Sequence, residues 1–90
     1  MKKTIITVIG KDKKGIIARV CTYLAGNDIN VLDISQTILQ EYFTMMMAAD
    51  IEDCAKEFAL ISEELSQIGE EIGVSIQMQH EDIFNKMHRI

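Results

Sequence analysis

The apolar residues in the first third of the chain follow two successive patterns, one typical of a strand and the next typical of a helix. Apolar and β-branched residues run from Thr4 to Ile9 and stop at Gly10, which predicts a strand. From Gly15, apolar residues recur at spacings of three and four, the pattern of a helix with one buried face. That face contains Ile16, Ile17, Val20, Cys21 and Leu24. The helix is predicted to end at Gly26-Asn27-Asp28, because Gly and Asn tolerate the left-handed backbone of a helix end.

The middle of the chain predicts a long hairpin. Residues from Ile29 to Gln40 and from Phe43 to Ile51 alternate between two faces, as strands do. The apolar positions are Leu32, Ile34 and Ile38 in the first strand, and Phe43, Met45, Met47, Ala49 and Ile51 in the second. The predicted turn is Gln40-Glu41-Tyr42, although it lacks the Asn-Gly pair typical of a tight hairpin.

The rest of the chain predicts a helix, a strand and a tail. Acidic Glu52 and Asp53 suit the positive end of a helix dipole, so we expect the helix to begin there and to end at Gly73. Its apolar stripe contains Phe58, Ile61, Leu65, Ile68 and Ile72. A last strand follows, in which polar residues alternate with Val74, Ile76 and Met78. The tail has apolar residues at helical spacing, namely Ile83, Phe84, Met87 and Ile90.

The β-α-β-β-α-β order of these elements defines the expected fold, because crossovers between strands are right-handed. We predict an α+β domain of ferredoxin-like type over residues 1–80, with a four-stranded antiparallel sheet and both helices on one face. A short C-terminal helix over residues 81–90 is expected to pack on the domain or on a partner. Ninety residues can bury one core, and a partner subunit would add stability.

The charge of the chain is acidic overall but basic at its start. The formal net charge is −5, which argues against nucleic-acid binding because phosphate contacts need a basic face. Residues 1–19 nevertheless hold six of the nine Lys and Arg residues and a single acid, Asp12. No apolar run approaches the ~20 residues of a membrane span, and the first residues suit a strand better than a signal peptide. We therefore expect a cytoplasmic protein with Cys21 and Cys54 as reduced, buried thiols.

The loop between the first strand and the first helix does not fit a nucleotide site. Gly10 and Gly15 have the spacing of the phosphate-binding motif G-x-x-x-x-G-K-[ST], but Ile16 and Ile17 occupy its Lys and Ser/Thr positions. The lysines of the loop instead precede the helix, at the positive end of its dipole, where cations are disfavoured. Free N–H groups beside these lysines would suit a small anion, and equally the lysines would simply be solvated; both interpretations stay open.

No catalytic or metal-binding constellation matches its required pattern. His80-Glu81 begins the zinc motif H-E-x-x-H, but Phe84 stands where the second His is required. RNA-recognition sheets need aromatic residues on their central strands, and the first strand has none. The Met45-Met46-Met47 run suits strand packing, because consecutive strand residues point to opposite faces. We expect no catalytic residues, no metal and no cofactor.

Several features together resemble a known family. The loop GKDKKGIIARV, the segment NDINVLDIS and the predicted topology resemble the ACT domain, a small regulatory module, over residues 3 to about 80. The segments VLDISQTILQEYFTMMM and QHEDIFNKMHRI are more narrowly similar to single-domain bacterial ACT proteins, and through them to the regulatory domains of the glycine cleavage system repressor. The resemblance implies a regulatory homodimer in which two domains pair side by side.

The resemblance also implies an amino-acid site at the interface of the pair. Its residues would be Gly10, Lys11, Asp12, Lys14, Gly15 and Ile16 from the first strand–helix loop, and Asn30, Val31 and Leu32 from the second strand. Asp12 and Asn30 stand eighteen residues apart, as in the family, and would hold the polar ends of the ligand. N–H groups near Gly15 would hold its carboxylate. Some members carry a ligand-contacting His at the position of Gly10.

Two classes of function follow. The leading hypothesis is a homodimeric regulatory module that binds an amino acid and regulates an unidentified partner protein. The alternative is a ligand-free module for protein–protein interaction, in which the Met-rich third strand and the tail bind another protein. An enzyme has no support from the residues.

Overall fold

The computed structural model describes residues 1–11 and 14–81 and contains six regular elements in the predicted order. They are β1 (Lys3–Lys11), α1 (Ile16–Gly26), β2 (Asn30–Leu39), β3 (Tyr42–Asp50), α2 (Phe58–Ile72) and β4 (Val74–His80). The βαββαβ order is therefore confirmed. The structure does not describe Asp12, Lys13 or residues 82–90. The prediction of a C-terminal helix therefore lies outside the described residues.

The four strands form one antiparallel sheet in the order β2-β3-β1-β4, with both helices on the same face. Alternate residues of β1, β3 and β4 are buried beneath the helices, as the sequence predicted, except at Gly10, which is half-buried, and at His80, which is exposed. The largest fully buried side chains include Ile6, Val8, Val20, Leu24, Met45, Met47, Ile61 and Leu65. The predicted ferredoxin-like α+β fold is confirmed.

Helix α2 begins later than the sequence predicted. We expected it to begin at Glu52 and Asp53, but it begins at Phe58. The carboxylate of Asp50 accepts hydrogen bonds from the backbone N–H groups of Lys2, at 3.1 Å, and Glu52, at 3.0 Å. Such side-chain bonds to the backbone compete with helix formation. The chain after β3 therefore forms a turn, closed by a hydrogen bond from the Cys54 N–H to the Ile51 carbonyl.

The lengths of the helices and the burial of the cysteines can be compared with the sequence predictions. No helix in residues 1–11 and 14–81 is long and apolar enough to cross a bilayer. Both cysteines are free thiols, but they are half-buried, so the prediction of full burial was wrong. Cys21 on α1 and Cys54 in the turn after β3 pack against the rim of the core, because neither lies on the face that the helices share with the sheet.

Candidate ligand site

The first part of the predicted site is the connection from β1 to α1. Lys11, Lys14 and Gly15 are exposed, and Ile16 is buried as the first residue of α1. Gly15 occupies the N-cap position with φ 88°, a left-handed conformation that other residues adopt at a cost. The first turn of α1 contains no acidic residue, and Gly15 provides no side-chain cap. Because the first N–H groups of a helix have no acceptor within it, this exposed end suits an anionic group.

Gly10 has a packing role in the same region. A Cβ built on Gly10 would lie 2.7 Å from the Val74 Cγ1 atom and 3.1 Å from the Val74 Cα atom. The absence of a side chain at Gly10 therefore allows β4 to approach β1 closely. Val74 thus occupies the space that a side chain at position 10 would need.

The second part of the predicted site is the start of β2. Asn30 is exposed, Val31 is half-buried, and Leu32 is exposed at a β-bulge between Val31 and Asp33. A bulge leaves one residue out of the ladder and increases the local twist of the strand. It shifts the alternation by one residue, so that Val31, Ile34 and Ile38 lie on the helix side of the sheet, and the prediction of one face for Leu32, Ile34 and Ile38 was wrong at Leu32, which has no partner in the ladder. The bulge could not be read from the apolar pattern.

The two parts of the site lie at opposite ends of the sheet within one copy of the chain. Asn30 is opposite Asp50, and Asp50 is opposite Lys3 at the start of β1. Gly10 is seven residues further along β1, a separation of about 23 Å at the rise of a strand. The fold therefore brings Gly10, Lys11, Lys14, Gly15 and Ile16 together, and Asn30, Val31 and Leu32 together, but it does not join the two groups. The ninth predicted residue, Asp12, lies outside the described residues.

Among the residues that the structure describes, strand β2 is an uncovered edge of the sheet. Nine of its ten residues are exposed, and only Val31 is partly buried. Ile34 and Ile38 are 43% and 57% exposed, although they face the helix side. The other edge, β4, differs: Val74, Ile76 and Met78 are buried beneath α2. A long apolar edge with free N–H and C=O groups is a template for pairing with another strand.

A polar cluster that the sequence patterns did not reveal joins α1, α2 and the turn after β3. The Glu64 Oε1 atom accepts hydrogen bonds from the Lys56 ammonium at 2.7 Å and from the Tyr23 hydroxyl at 2.8 Å. The hydrogen bond from Lys56, and to a smaller extent the one from Tyr23, lowers the pKa of the Glu64 carboxyl. Burial, and then the bond to Glu64, raise the pKa of the Tyr23 phenol. Tyr23 is 41 residues from Glu64, and Lys56 lies before α2 rather than on its face, so no helical spacing signals the cluster.

We expect Glu64 to make the protein less stable in acid. Because the pKa of Glu64 is lower in the folded protein, its stabilising effect is present above the ordinary value of 4.5 and is lost as the pH falls through the lowered pKa. Glu64→Gln should lower the free energy of unfolding at neutral pH and reduce its decline below pH 4.5. Urea unfolding across this pH range measures both effects, with Glu70→Gln on the exposed side of α2 as the control. An unchanged pH dependence in Glu64→Gln would contradict this assignment.

Comparison with known proteins agrees with the fold and the sequence pattern. The sequence profile of the ACT domain matches residues 2–79. A UPF0237 protein of Bifidobacterium longum is 56% identical over 90 residues, which cover 100% of both chains. The structure of an ACT domain protein from Streptococcus pneumoniae is 43% identical, with a TM-score of 0.81 over 92% of this chain and 93% of that chain.

A likeness of fold extends to a larger protein. A crystal structure assigned as a glycine cleavage system transcriptional repressor has a TM-score of 0.73 and 19% identity, and the match covers 87% of this chain and 44% of that chain. The predicted similarity to these proteins is confirmed. The chain belongs to the ACT domain family, a family of regulatory ligand-binding modules, and is related within it to the UPF0237 proteins.

Proposed function

We propose that the chain is a regulatory module that acts as a homodimer, binds an amino acid between its two copies and controls an unidentified partner protein. Membership of the ACT domain family supports the regulatory role, and the exposed edge of β2 supports the pairing. In this proposal the module is not itself an enzyme. It acts in the cytoplasm, where Cys21 and Cys54 remain reduced.

The separation of the two parts of the site carries the proposal. When two copies of β2 pair antiparallel about a two-fold axis, the Asn30 end of one strand lies beside the Leu39 end of the other. In each copy, Ile38 is opposite Phe43, and Phe43 is opposite Gly10. The end of β2 is thus two strands, or about 10 Å, from the β1–α1 connection. Pairing therefore brings the Asn30 end of one copy towards the β1–α1 connection of the other.

The chemistry of the two parts suits the two ends of an amino acid. The exposed N-terminus of α1, with Lys14 beside it, would bind the carboxylate. The side-chain amide of Asn30, from the other copy, would accept from the ammonium group. Asp12 would add a negative charge for the same group, as the resemblance to the family implies. Because the ligand contacts both copies, its binding would shift the equilibrium between free and paired chains, or between two states of the pair.

Thermal unfolding in the presence of each of the twenty amino acids tests whether there is a ligand. A ligand at a hundred times its Kd adds about 2.7 kcal/mol to the free energy of unfolding. For a domain of this size, that energy corresponds to a rise in Tm of about 10 °C or more. Nucleotides at the same concentration are the control. One amino acid that raises Tm would identify the ligand, and a flat response at millimolar concentration would contradict the ligand-binding part of the proposal.

Two variants, one in each part of the candidate site, test whether the two copies of a dimer together form one binding site. Asn30→Ala removes the amide on β2, and Lys14→Glu places a negative charge beside the expected carboxylate. Each variant alone should lose binding. In an equimolar mixture, about half of the dimers contain one copy of each variant, and each of these has one intact site of two, so that about a quarter of the sites returns. Calorimetric titration counts the sites; mixed dimers that regain none would show that the two parts do not form one site.

One observation favours a second function, a ligand-free interaction module. Val74 occupies the space that a side chain at position 10 would need, so the ligand-contacting His that the resemblance implies for some members has no counterpart at Gly10. The uncovered β2 edge would then bind a second copy, and the pair would bind another protein without a small molecule. A flat response to all amino acids, together with an intact dimer that recovers a stoichiometric protein partner from both fed and starved cells, would favour this function.

A further inference from the structure

A groove of about 660 Å³ lies at the end of the sheet where β1 begins and β4 ends. Pockets that bind small molecules typically have volumes of about 300–1,000 Å³, so the groove has a suitable size. Its lining combines three lysines, two acidic residues and a histidine with an apolar part. None of the residues of the candidate ligand site that the structure describes lines this groove, so it is a separate feature of the molecule.

The side chains of the groove reverse the charge balance of the chain. The whole chain has 14 acidic residues and only nine lysines and arginines. The groove instead has more lysines than acids, with Lys2, Lys3 and Lys56 in its lining against Glu57 and Glu81. With His80 neutral, its side chains therefore carry one more positive than negative charge. The ammonium group of Lys2 has no hydrogen-bond or ion-pair partner within residues 1–11 and 14–81.

Carboxylates hold the other two ammonium groups in place without using all of their donors. The Lys3 ammonium lies 3.3 Å from the Glu81 carboxylate. The Lys56 ammonium lies 2.7 Å from the Glu64 carboxylate. A lysine ammonium has three N–H donors, so each keeps donors for a ligand oxygen after one carboxylate contact. Because the two side chains are already ordered, they lose less conformational freedom when a ligand binds.

The apolar part of the groove includes a pair of stacked rings. The rings of Phe58 and His80 lie parallel within 17°, with their centroids 4.0 Å apart. Phe58 packs against the core, and His80 is exposed. Because Phe58 covers one face of the imidazole, a flat ligand would stack on the other face and extend the pair. The buried side chain of Ile51 adds an aliphatic surface to the same groove.

We propose that this groove binds a small aromatic monocarboxylate. The ring of the ligand stacks on His80, and its carboxylate accepts hydrogen bonds from the ammonium group of Lys2 and from the free donors of the other two lysines. An excess of one positive charge suits a carboxylate better than a phosphate dianion, which Glu57 and Glu81 would repel more strongly. The proposal depends neither on the amino-acid site nor on pairing, because every residue in it belongs to one copy of the chain.

Binding of 1-naphthoate to the full chain tests the proposal. Amide chemical shifts of the ¹⁵N-labelled protein locate the bound molecule, and we expect the largest changes at Lys2, Phe58 and His80, with a Kd in the millimolar range or below. The alcohol 1-naphthalenemethanol has the same ring without the charge and should bind about tenfold more weakly, because hydrogen bonds between charged groups are the stronger ones. Equal binding of the acid and the alcohol, tighter binding of inorganic phosphate, or no shift at the groove with millimolar 1-naphthoate would each overturn the proposal.

Variants of exposed residues test the assigned contacts. Lys2→Gln should raise the Kd for 1-naphthoate about tenfold, and His80→Ala should raise it about fivefold, since each removes one contact without disturbing the core. Arg19→Gln removes an equal charge on α1, outside the groove, and should leave the Kd unchanged. Lys14→Glu, in the candidate amino-acid site, should also leave it unchanged. An equal loss in Arg19→Gln would show a general effect of charge, and an equal loss in Lys14→Glu would place 1-naphthoate in the amino-acid site; either result would overturn the proposal.

Discussion

Replacing Ile34 with lysine is expected to convert the proposed dimer into monomers. Ile34 is 43% exposed and lies on the helix side of β2, beside the uncovered edge. In a two-fold pair, each copy contributes this side chain to the same interface, so the substitution removes two apolar contacts and adds two like charges. Loss of a central interface residue costs about 2 kcal/mol or more, which raises the Kd of the dimer about thirtyfold or more. Sedimentation equilibrium measures that constant.

Leu60→Lys is the matched control for this experiment. Leu60 is also 43% exposed, but it lies on α2, away from the edge of the sheet. We expect Leu60→Lys to leave the association of the chain unchanged, so that a general effect of added charge is separated from an effect at β2. If an amino acid raises the Tm of the wild-type protein, the Ile34→Lys monomer should lose that response. A variant that remains as dimeric as the wild type would place the association surface elsewhere on the chain.

Replacing Gly69 with alanine is expected to cost about 2 kcal/mol of the free energy of unfolding, or roughly 10 °C in Tm. Gly69 is a buried residue of α2 at its contact with β4. A Cβ at this position would lie 2.6 Å from the carbonyl oxygen of Val74 and 3.3 Å from the backbone nitrogen of Ile76. Since both atoms belong to the backbone, a rotamer change cannot relieve the overlap. The helix must move away from β4, and the contacts that it makes with the sheet are weakened.

Gly26→Ala provides a control of opposite sign. Gly26 is the last residue of α1, and a Cβ there would have no neighbour within 4 Å. Alanine favours the helix over glycine by up to about 1 kcal/mol, so we expect Gly26→Ala to leave stability unchanged or to raise it. Chemical denaturation of the two variants measures the difference. Similar stability in the Gly69→Ala variant and the wild type would show that α2 is not held against β4 as closely as the structure indicates.

Regular alternation was sufficient to predict the core strands, because a strand places every second side chain on one face. Met45, Met47 and Ala49 are all buried as that rule predicts. Helix α2 begins later than predicted because the carboxylate of Asp50, at the end of β3, accepts hydrogen bonds from two backbone N–H groups. The bond to the Glu52 N–H is local, but local propensity carries no information about the bond to the Lys2 N–H, which is 48 residues away.

The candidate site shows a similar limit. Family resemblance selected the β1–α1 connection and the start of β2, but the distance between them depends on the pairing of β1 with β3 and of β3 with β2. The register of the strands is a property of the folded sheet. The sequence alone therefore does not reveal that the β1–α1 connection and the start of β2 are at opposite ends of the sheet. The role of Gly10 was hidden for the same reason, because Val74 reaches it only across the β1–β4 ladder.

The two unequal edges of the sheet would limit the size of an assembly that forms by strand pairing. Pairing along β2 leaves β4 at both outer edges of the joined sheets, and β4 is short, with buried side chains beneath α2 and polar side chains on its other face. Such an edge has little to offer a further strand. Growth would therefore stop after one pairing step, whereas a sheet with two edges like β2 would add copies without end and form a fibre. An assembly in which β2 pairs and β4 does not would therefore contain two copies of the sheet and no more.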